Sequence, residues 1–230
     1  MQTPTNKKAT RSNGHDHHVQ ANFGPRANAY VESSVHAQGA DLNRLADVVR
    51  QLAPQRAIDL GAGGGHVSYT MAPYAGSVMA VDLSADMVAA IREAAVAKGF
   101  ANIEAQQHSV ENLPFANESF DYLACRFTAH HWHDVNAGLR EARRVLPKGA
   151  KATFIDVIAP AAPLLNTHLQ AIELLRDTSH VRNYTVAEWS EMLGRAGFAI
   201  EALYPSRLHM EFKSWVARIG TPEPLCTALQ

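Results

Sequence analysis

Apolar positions along this chain follow two rhythms that alternate through its middle. A helical stripe, Leu42, Leu45, Val48, Val49 and Leu52, stops before Pro54, a residue that biases its predecessor away from helix. The run Ala57 to Leu60 then reads as a short buried strand ending at a cluster of glycines. Val67 to Ala72 predicts a helix, and Ser77 to Val81 a second strand ending at Asp82. Ala85 to Ala97 predicts an alanine-rich helix with Ser84 as its N-cap. Further strands are expected over Ile103–Gln107, Phe120–Cys125 and Ala152–Ile158, with a helix over Asp134–Leu146. Such alternation predicts an α/β fold, a doubly wound, mostly parallel sheet with helices on both faces.

The flanks read differently. Helical spacing begins near Ala21, so residues 19–52 are expected to form an N-terminal helical cap. Residues 1–18 are polar and are expected to be a disordered tail. Beyond Pro160 the rhythm breaks. Leu164–Leu175 looks helical, and Thr185 opens another helix, with Glu188 completing a capping box and Gly197 near its end. Phe198–Leu203 predicts a sixth strand and Phe212–Ile219 a short helix. Residues 160–184 exceed a simple crossover and are expected to cover the site, within a single domain spanning 19–230.

Composition narrows the function classes. With 230 residues and 47% hydrophobic content, the chain is long enough for one α/β domain with a real core. Its 21 basic and 22 acidic residues give a net charge of −1, which provides no electrostatic footprint for nucleic acid or an anionic membrane. No apolar run approaches a membrane span, and the N-terminus has no apolar h-region of a secretory signal. Cys125 and Cys226, far apart, fit a reducing cytoplasm and no disulfide framework. The expected partner is a small-molecule substrate, and the expected state a cytoplasmic monomer or homodimer.

The candidate chemistry begins at Asp59-Leu60-Gly61-Ala62-Gly63-Gly64-Gly65. Glycines let the backbone approach a ligand closely, and the next helix offers its N-terminal amides to the same spot. Asp82, at the end of the second strand, is placed to accept both ribose hydroxyls of a nucleoside. A dinucleotide would want G-x-G-x-x-G, but its last glycine falls on His66. The pattern acid-x-G-x-G-x-G is complete at Asp59, Gly61, Gly63 and Gly65.

That loop resembles the nucleotide loop of class I S-adenosylmethionine-dependent methyltransferases. Ser109-Val110-Glu111-Asn112-Leu113-Pro114-Phe115 resembles the family's adenine-side segment, and Arg144-Val145-Leu146-Pro147-Lys148-Gly149 its turn before the fifth strand. The likeness spans roughly Ala57 to Ile158 and points to the ubiquinone/menaquinone-biosynthesis-type branch. A closer resemblance, to small bacterial members of mostly undefined substrate, rests on four stretches. These are F-G-x-x-A-x-x-Y at Phe23–Tyr30, A-H-H-W-H-D at Ala129–Asp134, R-D-T-S-H-V-R at Arg176–Arg182 and S-W-V-A-R-x-G-T-P at Ser214–Pro222. The chain departs from the family's pattern in three places. The family's adenine-binding aspartate falls on Ser109, the order Pro147-Lys148 is swapped, and no good strand follows Phe212 where the family places a final antiparallel one. The expectation is an exposed edge on the fifth strand or a rearranged sixth.

The resemblance implies methyl transfer from S-adenosylmethionine to a small molecule, at carbon, oxygen or nitrogen. It implies cofactor contacts from Asp59, Gly61, Ala62, Gly63, Asp82, Leu83, Ser109, Val110 and Arg126, with Phe23 and Tyr30 closing over the methionine end. Met87 reads equally as an adenine neighbour or as core. His36, Arg176, His180, Arg182 and Arg218 read as a polar cap that touches substrate or ties itself together. In A-H-H-W-H-D, adjacent His130 and His131 point to opposite sides of an extended chain. With His133 they lack an acidic or cysteine partner at metal-site spacing, so no metal is expected. One of His130 and His131 is the candidate base, against a loop-packing role for both. Two rival functions remain: an NAD(P)-dependent oxidoreductase and a non-catalytic S-adenosylmethionine-binding protein.

Overall fold

In the computed structural model, residues 14–31 and 39–230 are described. Helix α1 (Gly14–Phe23), a 3-10 turn (Gly24–Arg26), α2 (Ala27–Val31) and α3 (Ala40–Leu52) precede the sheet. Then follow β1 (Arg56–Leu60), α4 (His66–Met71), β2 (Ser77–Asp82), α5 (Ala85–Ala97), β3 (Ile103–Gln107), β4 (Tyr122–Arg126), α6 (Val135–Arg144) and β5 (Lys151–Ile155). Helices α7 (Pro163–Arg176), α8 (Val186–Ala196), α9 (Phe212–Ile219) and α10 (Glu223–Ala228) complete the chain. Residues 14–18, expected as tail, are helical instead. Candidate residue His36 lies outside the described residues.

The strands run in the order β3-β2-β1-β4-β5, and every neighbouring pair is parallel. Side chains alternate across the sheet as the period of two requires. Ile58, Leu60, Leu123 and Cys125 pack on one face with Leu139 and Ala142 of α6 and Trp189 and Met192 of α8. Ala57, Tyr122 and Ala124 pack on the other with Leu42, Leu45 and Val49 of α3 and Val67 and Met71 of α4. The order reverses at β1, since the chain leaves it toward β2 and later returns on its other side as β4. Open α/β sheets bind ligands at such a switch point, beyond the carboxyl ends of the strands.

Local signals set the boundaries. Ser84 Oγ accepts the Met87 amide (3.3 Å) and starts α5. The α8 capping box is complete: Glu188 N–H donates to Thr185 Oγ1 (3.2 Å), and Thr185 N–H to Glu188 Oε2 (2.8 Å). Gly197 ends that helix in a left-handed conformation.

The sixth strand expected over Phe198–Leu203 does not form, and no described residue beyond Ile155 belongs to the sheet. Phe198 packs edge-on against Phe154 of β5 (5.6 Å between ring centres), and Glu201 pairs with Lys151. The segment therefore passes β5 without joining its ladder. Its apolar alternation has only one layer to meet, so Ile200, Leu203 and Tyr204 stay exposed. β5 is the edge that the sequence anticipated.

Tyr122 ties that edge to the centre. It is fully buried, and its hydroxyl shares a 2.6 Å hydrogen bond with Thr153 of β5. Tyr122→Phe leaves the Thr153 hydroxyl without this partner, and should cost about 1–2 kcal/mol. Urea denaturation checks this, and an unchanged midpoint contradicts it.

Candidate active site

The carboxyl ends of β1, β2 and β4 open onto a cavity of about 130 Å³. Its floor is the glycine loop. The chain turns at Gly61 (φ +66°), where a β-carbon would overlap Thr128 in the loop after β4. Glycine is required for that approach. Gly63 N–H donates to Asp82 Oδ2 (2.8 Å), and Ser84 N–H to Asp82 Oδ1 (2.9 Å). One carboxylate thus ties the loop to the start of α5. Burial raises the Asp82 pKa, and the amides of Ser84, Gly63 and Leu83 hold it down. A β-carbon on Gly63 would meet no atom within 4 Å, so the loop faces open space there.

Asp59 lies behind the loop at 1% exposure. Its Oδ2 accepts the Ser68 hydroxyl (2.7 Å), and its Oδ1 is buried with no hydrogen-bond partner among the described residues. Burial is the main cause of a pKa pushed up to about 7; Ser68 opposes the shift and Asp82 adds to it. A buried carboxylate with an unused oxygen is poised to take full charge when a cation arrives.

Leu83, Met87 and Val110 give the cavity an apolar wall beside Ser109. Ser109 Oγ accepts the Glu111 amide (3.3 Å). Met87 lines the cavity and also packs in a cluster with Ala27, Phe23 and Tyr30. Arg126 lines the cavity too, with its Nε donating to Asp41 Oδ2 of α3 (2.6 Å). The next residue, Phe127, holds a left-handed φ of +53°, a strained conformation for a bulky side chain.

The N-terminal helices close the cavity from above. Phe23 sits edge-on to Tyr30 (5.5 Å) and to His131 (5.0 Å). His66 Nε2 donates to the Tyr30 carbonyl (2.8 Å), and a β-carbon on Gly64 would lie 2.6 Å from that same oxygen. The α2 backbone therefore rests directly on the glycine loop.

The histidine run divides by direction. His131 and His133 line the cavity, and His130 does not. Burial, reinforced by the neighbouring His130, drives the His131 pKa down to about 3, so its imidazole is neutral. Its Nδ1 donates to the Ser179 carbonyl (3.2 Å), and its Nε2 lies 3.9 Å from Asp177 Oδ2. His130 turns toward the end of β5, where its Nδ1 meets Asp156 Oδ1 at 2.5 Å. Burial works against charge on His130, but Asp156 outweighs it with help from Glu173 and Asp177, and the pKa is raised. Among the described residues no group of three or more His, Cys, Asp or Glu is placed to hold a metal ion.

The cap residues stand behind this wall, and none of Arg176, His180, Arg182 and Arg218 lines the cavity. Arg176 hydrogen-bonds the Tyr30 hydroxyl, donates to the Trp215 carbonyl (3.1 Å) and lies over the Trp215 ring. His180 meets Gln170 Oε1 (3.2 Å), and burial lowers its pKa to about 4. Arg182 pairs with Glu188 (2.9 Å). Arg218 is half-buried near Tyr30, and burial lowers its pKa.

The four stretches behind the closer family likeness meet in space. The Phe23 ring touches His131, Val181 N–H donates to the His130 carbonyl (2.8 Å), and Thr221 Oγ1 donates to the Arg176 carbonyl (2.8 Å). Sequence reasoning missed Thr128, Phe127, Trp132, His108 and Glu111 on the cavity wall. Thr128 and Trp132 adjoin the quoted histidines, and His108 adjoins Ser109, so extending each motif by a residue or two finds them. The partners Asp41, Asp156 and Asp177 carry no local signal, because each is joined to its histidine or arginine only by the fold.

Glycine loop, strand-end carboxylate and switch point together define a nucleoside-binding α/β protein, and the comparisons narrow that class. Residues 58–154 match the family described as "Methyltransferase domain". The uncharacterized protein YafE of Escherichia coli is 42% identical over 170 residues, 74% of this chain and 82% of its own. The uncharacterized methyltransferase YcgJ of Bacillus subtilis is 35% identical over 200 residues, covering 87% of this chain and 79% of its own. The YcgJ crystal structure superposes with a TM-score of 0.79 at 33% identity, covering 82% of this chain and 81% of that one. The ubiquinone/menaquinone biosynthesis C-methyltransferase UbiE of Cellvibrio japonicus is 28% identical over 170 residues, 72% of this chain and 67% of its own. This chain belongs to the methyltransferase-domain family, and it is a class I S-adenosylmethionine-dependent methyltransferase.

The residues present fit that cofactor. The unpartnered Asp59 Oδ1 suits an ammonium or the water bridging to one, and the open face at Gly63 leaves room beside the Asp82 carboxylate. A pyrophosphate would instead meet two carboxylates, buried Asp59 and half-buried Asp82.

Asp59 gives a prediction with a defined sign. Its folded pKa is raised from the ordinary 3.8 to about 7, so deprotonation disfavours the ligand-free fold increasingly as pH rises from 3.8 to about 7, and the penalty is then constant at higher pH. Asp59→Asn should raise the melting temperature at about pH 8 and weaken binding of S-adenosylhomocysteine about tenfold or more. Wild-type affinity should climb between about pH 5.5 and pH 8.5 as Asp59 deprotonates, and the variant should respond little. Calorimetric titration across that range tests both, and a variant with the wild-type slope refutes the assignment.

Proposed function

We propose that this methyltransferase acts on a small-molecule acceptor held over the carboxyl ends of β4 and β5, under the N-terminal helices and the segment after α7. The observation that carries the reading is the open cavity between Asp59, the glycine loop and Asp82, walled by neutral His131 on its far side. When bound, S-adenosylmethionine supplies an electrophilic methyl on a sulfonium leaving group. Asp59 holds the ammonium end, directly or through water. Asp82, freed from no other ion pair by this task, keeps a lone pair on each oxygen for the ribose hydroxyls. Leu83, Met87 and Val110 receive the base, with Ser109 or the Val110 backbone at its polar edge. Gly61, Ala62, Gly63 and Arg126 line the turn beneath, and Phe23 and Tyr30 exclude water from above.

The arrangement supports a chain that works mainly by positioning, since a sulfonium needs little activation. Residues 19–230 act as one domain, with α1, α2 and residues 160–184 as its covering parts and α3 packed on the sheet. A cytoplasmic monomer or homodimer fits a net charge of −1 and the absence, among the described residues, of a helix long and apolar enough to cross a membrane. A carbon, oxygen or nitrogen acceptor is equally compatible with this frame.

Asp82→Ala removes the ribose acceptor and the anchor of Gly63 together, and should weaken S-adenosylhomocysteine about 100-fold (about 2.7 kcal/mol). In thermal-shift assays wild type should respond to S-adenosylhomocysteine and not to NADH. Transfer of tritiated methyl groups into the small-molecule fraction of a cell extract tests turnover. Cofactor binding without transfer to any fraction would favour a non-catalytic binding protein, and stabilisation by NADH alone an oxidoreductase.

A further inference from the structure

We propose that Arg176 is a positioning residue for methyl transfer: it fixes Tyr30 on the cavity wall, and with Asp177 and Thr178 it clasps the N-terminal helices shut. This rests on the methyl-transfer reading above and extends it to side chains that touch no ligand.

The clasp is three consecutive residues at the end of α7. Thr178 Oγ1 meets His18 Nε2 (2.8 Å), and Asp177 Oδ1 accepts the Asn22 side-chain amide (3.1 Å). Arg176 donates to the Tyr30 hydroxyl. The partners run in the opposite chain order, so one short segment grips α1 at two points and α2 at a third. Val19, Phe23 and Tyr30 of those helices line the cavity. No residue of α1 is buried, so these hydrogen bonds, rather than apolar burial, seat that helix.

Arg176 is itself held from behind. Its side chain is 12% exposed, and a guanidinium that deep is costly unless its N–H groups are used. Nε donates to the Trp215 carbonyl (3.1 Å), the guanidinium lies 5.0 Å from the centre of the Trp215 ring, and Nη1 is 3.9 Å from Glu173 Oε2. Thr221 Oγ1 donates to the Arg176 carbonyl (2.8 Å). Gly220, at the end of α9, closes against Arg26, whose guanidinium a β-carbon would overlap. Helix α9 therefore braces the clasp although none of its residues lines the cavity. The planar fork of arginine serves Trp215 and Tyr30 at once, where a lysine offers a single donor point.

The grip reaches the ligand through aromatic rings. Tyr30 stands edge-on to Phe23, and Phe23 to His131. Fixing the Tyr30 hydroxyl fixes that wall before the cofactor arrives, which lowers the cost of ordering it on binding. Without Arg176 the Tyr30 ring loses its anchor, and the bound cofactor loses the wall that retains it.

The test uses the full chain with Arg176→Gln, Arg176→Lys, Tyr30→Phe and the double variant Arg176→Gln/Tyr30→Phe. Association and dissociation of S-adenosylhomocysteine are measured by surface plasmon resonance on immobilised protein. No acceptor is present, so the clasp is judged even where the small-molecule reading fails. Arg176→Gln should weaken binding about tenfold, through faster dissociation at an unchanged association rate. Tyr30→Phe, which removes only the hydroxyl, should do the same, and it decides the matter should Arg176→Gln not fold. The double variant should bind like either single one, because both changes break one interaction. Arg176→Lys should fall between wild type and Arg176→Gln. Losses that add in the double variant, or a Tyr30→Phe variant with the wild-type dissociation rate, overturn the proposal. An Arg176→Gln loss that lies wholly in slower association overturns it too.

Discussion

The structure turns on one carboxylate, Asp82, at the end of β2. Its two oxygens take the Gly63 and Ser84 amides, so a single side chain sets both the curve of the glycine loop and the start of α5. Everything above the sheet depends on that curve. Gly61 meets Thr128 across the switch point, Gly64 receives the α2 backbone, and His66 bonds the Tyr30 carbonyl. Moving the loop by the width of a methyl group would unseat both the neighbouring β4 loop and the helices that close the cavity.

A second carboxylate, Asp59, shows why the loop begins with an acid. Nothing in the fold needs its charge: burial opposes ionisation, and only Ser68 hydrogen-bonds the side chain. Such a group is tolerated where a ligand completes it. The same logic applies at the opposite wall, where buried histidines and carboxylates crowd around the loop after β4. Hydrogen bonds from Asn22 of α1, from the Ser179 amide and from the Ser179 hydroxyl all converge on Asp177 Oδ1. The polar network is thus shared between the N-terminal helices and the segment after α7, and it joins the two parts that cover the site.

Much of this was legible in the sequence because periodicity and turn chemistry are local. The five parallel strands, the Ser84 cap, the Thr185–Glu188 capping box and the Phe212–Ile219 helix follow from spacing alone, and the loop from Asp59 to Gly65 marks the site. The sixth strand was misread because Phe198–Leu203 has the right alternation, while the layers needed to bury both of its faces are missing. The start of the helix from Gly14 was missed because the contacts of its first turns are polar: His15 reaches the His131 carbonyl and His18 reaches Thr178, with no residue of the helix buried. The orientation of His130 and His131 depends on Asp156, Ser179 and Asp177, which lie 26 to 48 residues away in the chain. No local pattern carries that information.

The central claim is that Asp59 and the glycine loop recognise the amino-acid end of the cofactor. The most direct measurement is a calorimetric cycle that pairs wild type and Asp59→Asn with S-adenosylhomocysteine and with its analogue lacking the α-amino group. Wild type should prefer the amino-bearing ligand by about tenfold or more, and Asp59→Asn should lose most of that preference. An undiminished preference in the variant, or no binding of either ligand to wild type, would contradict the account.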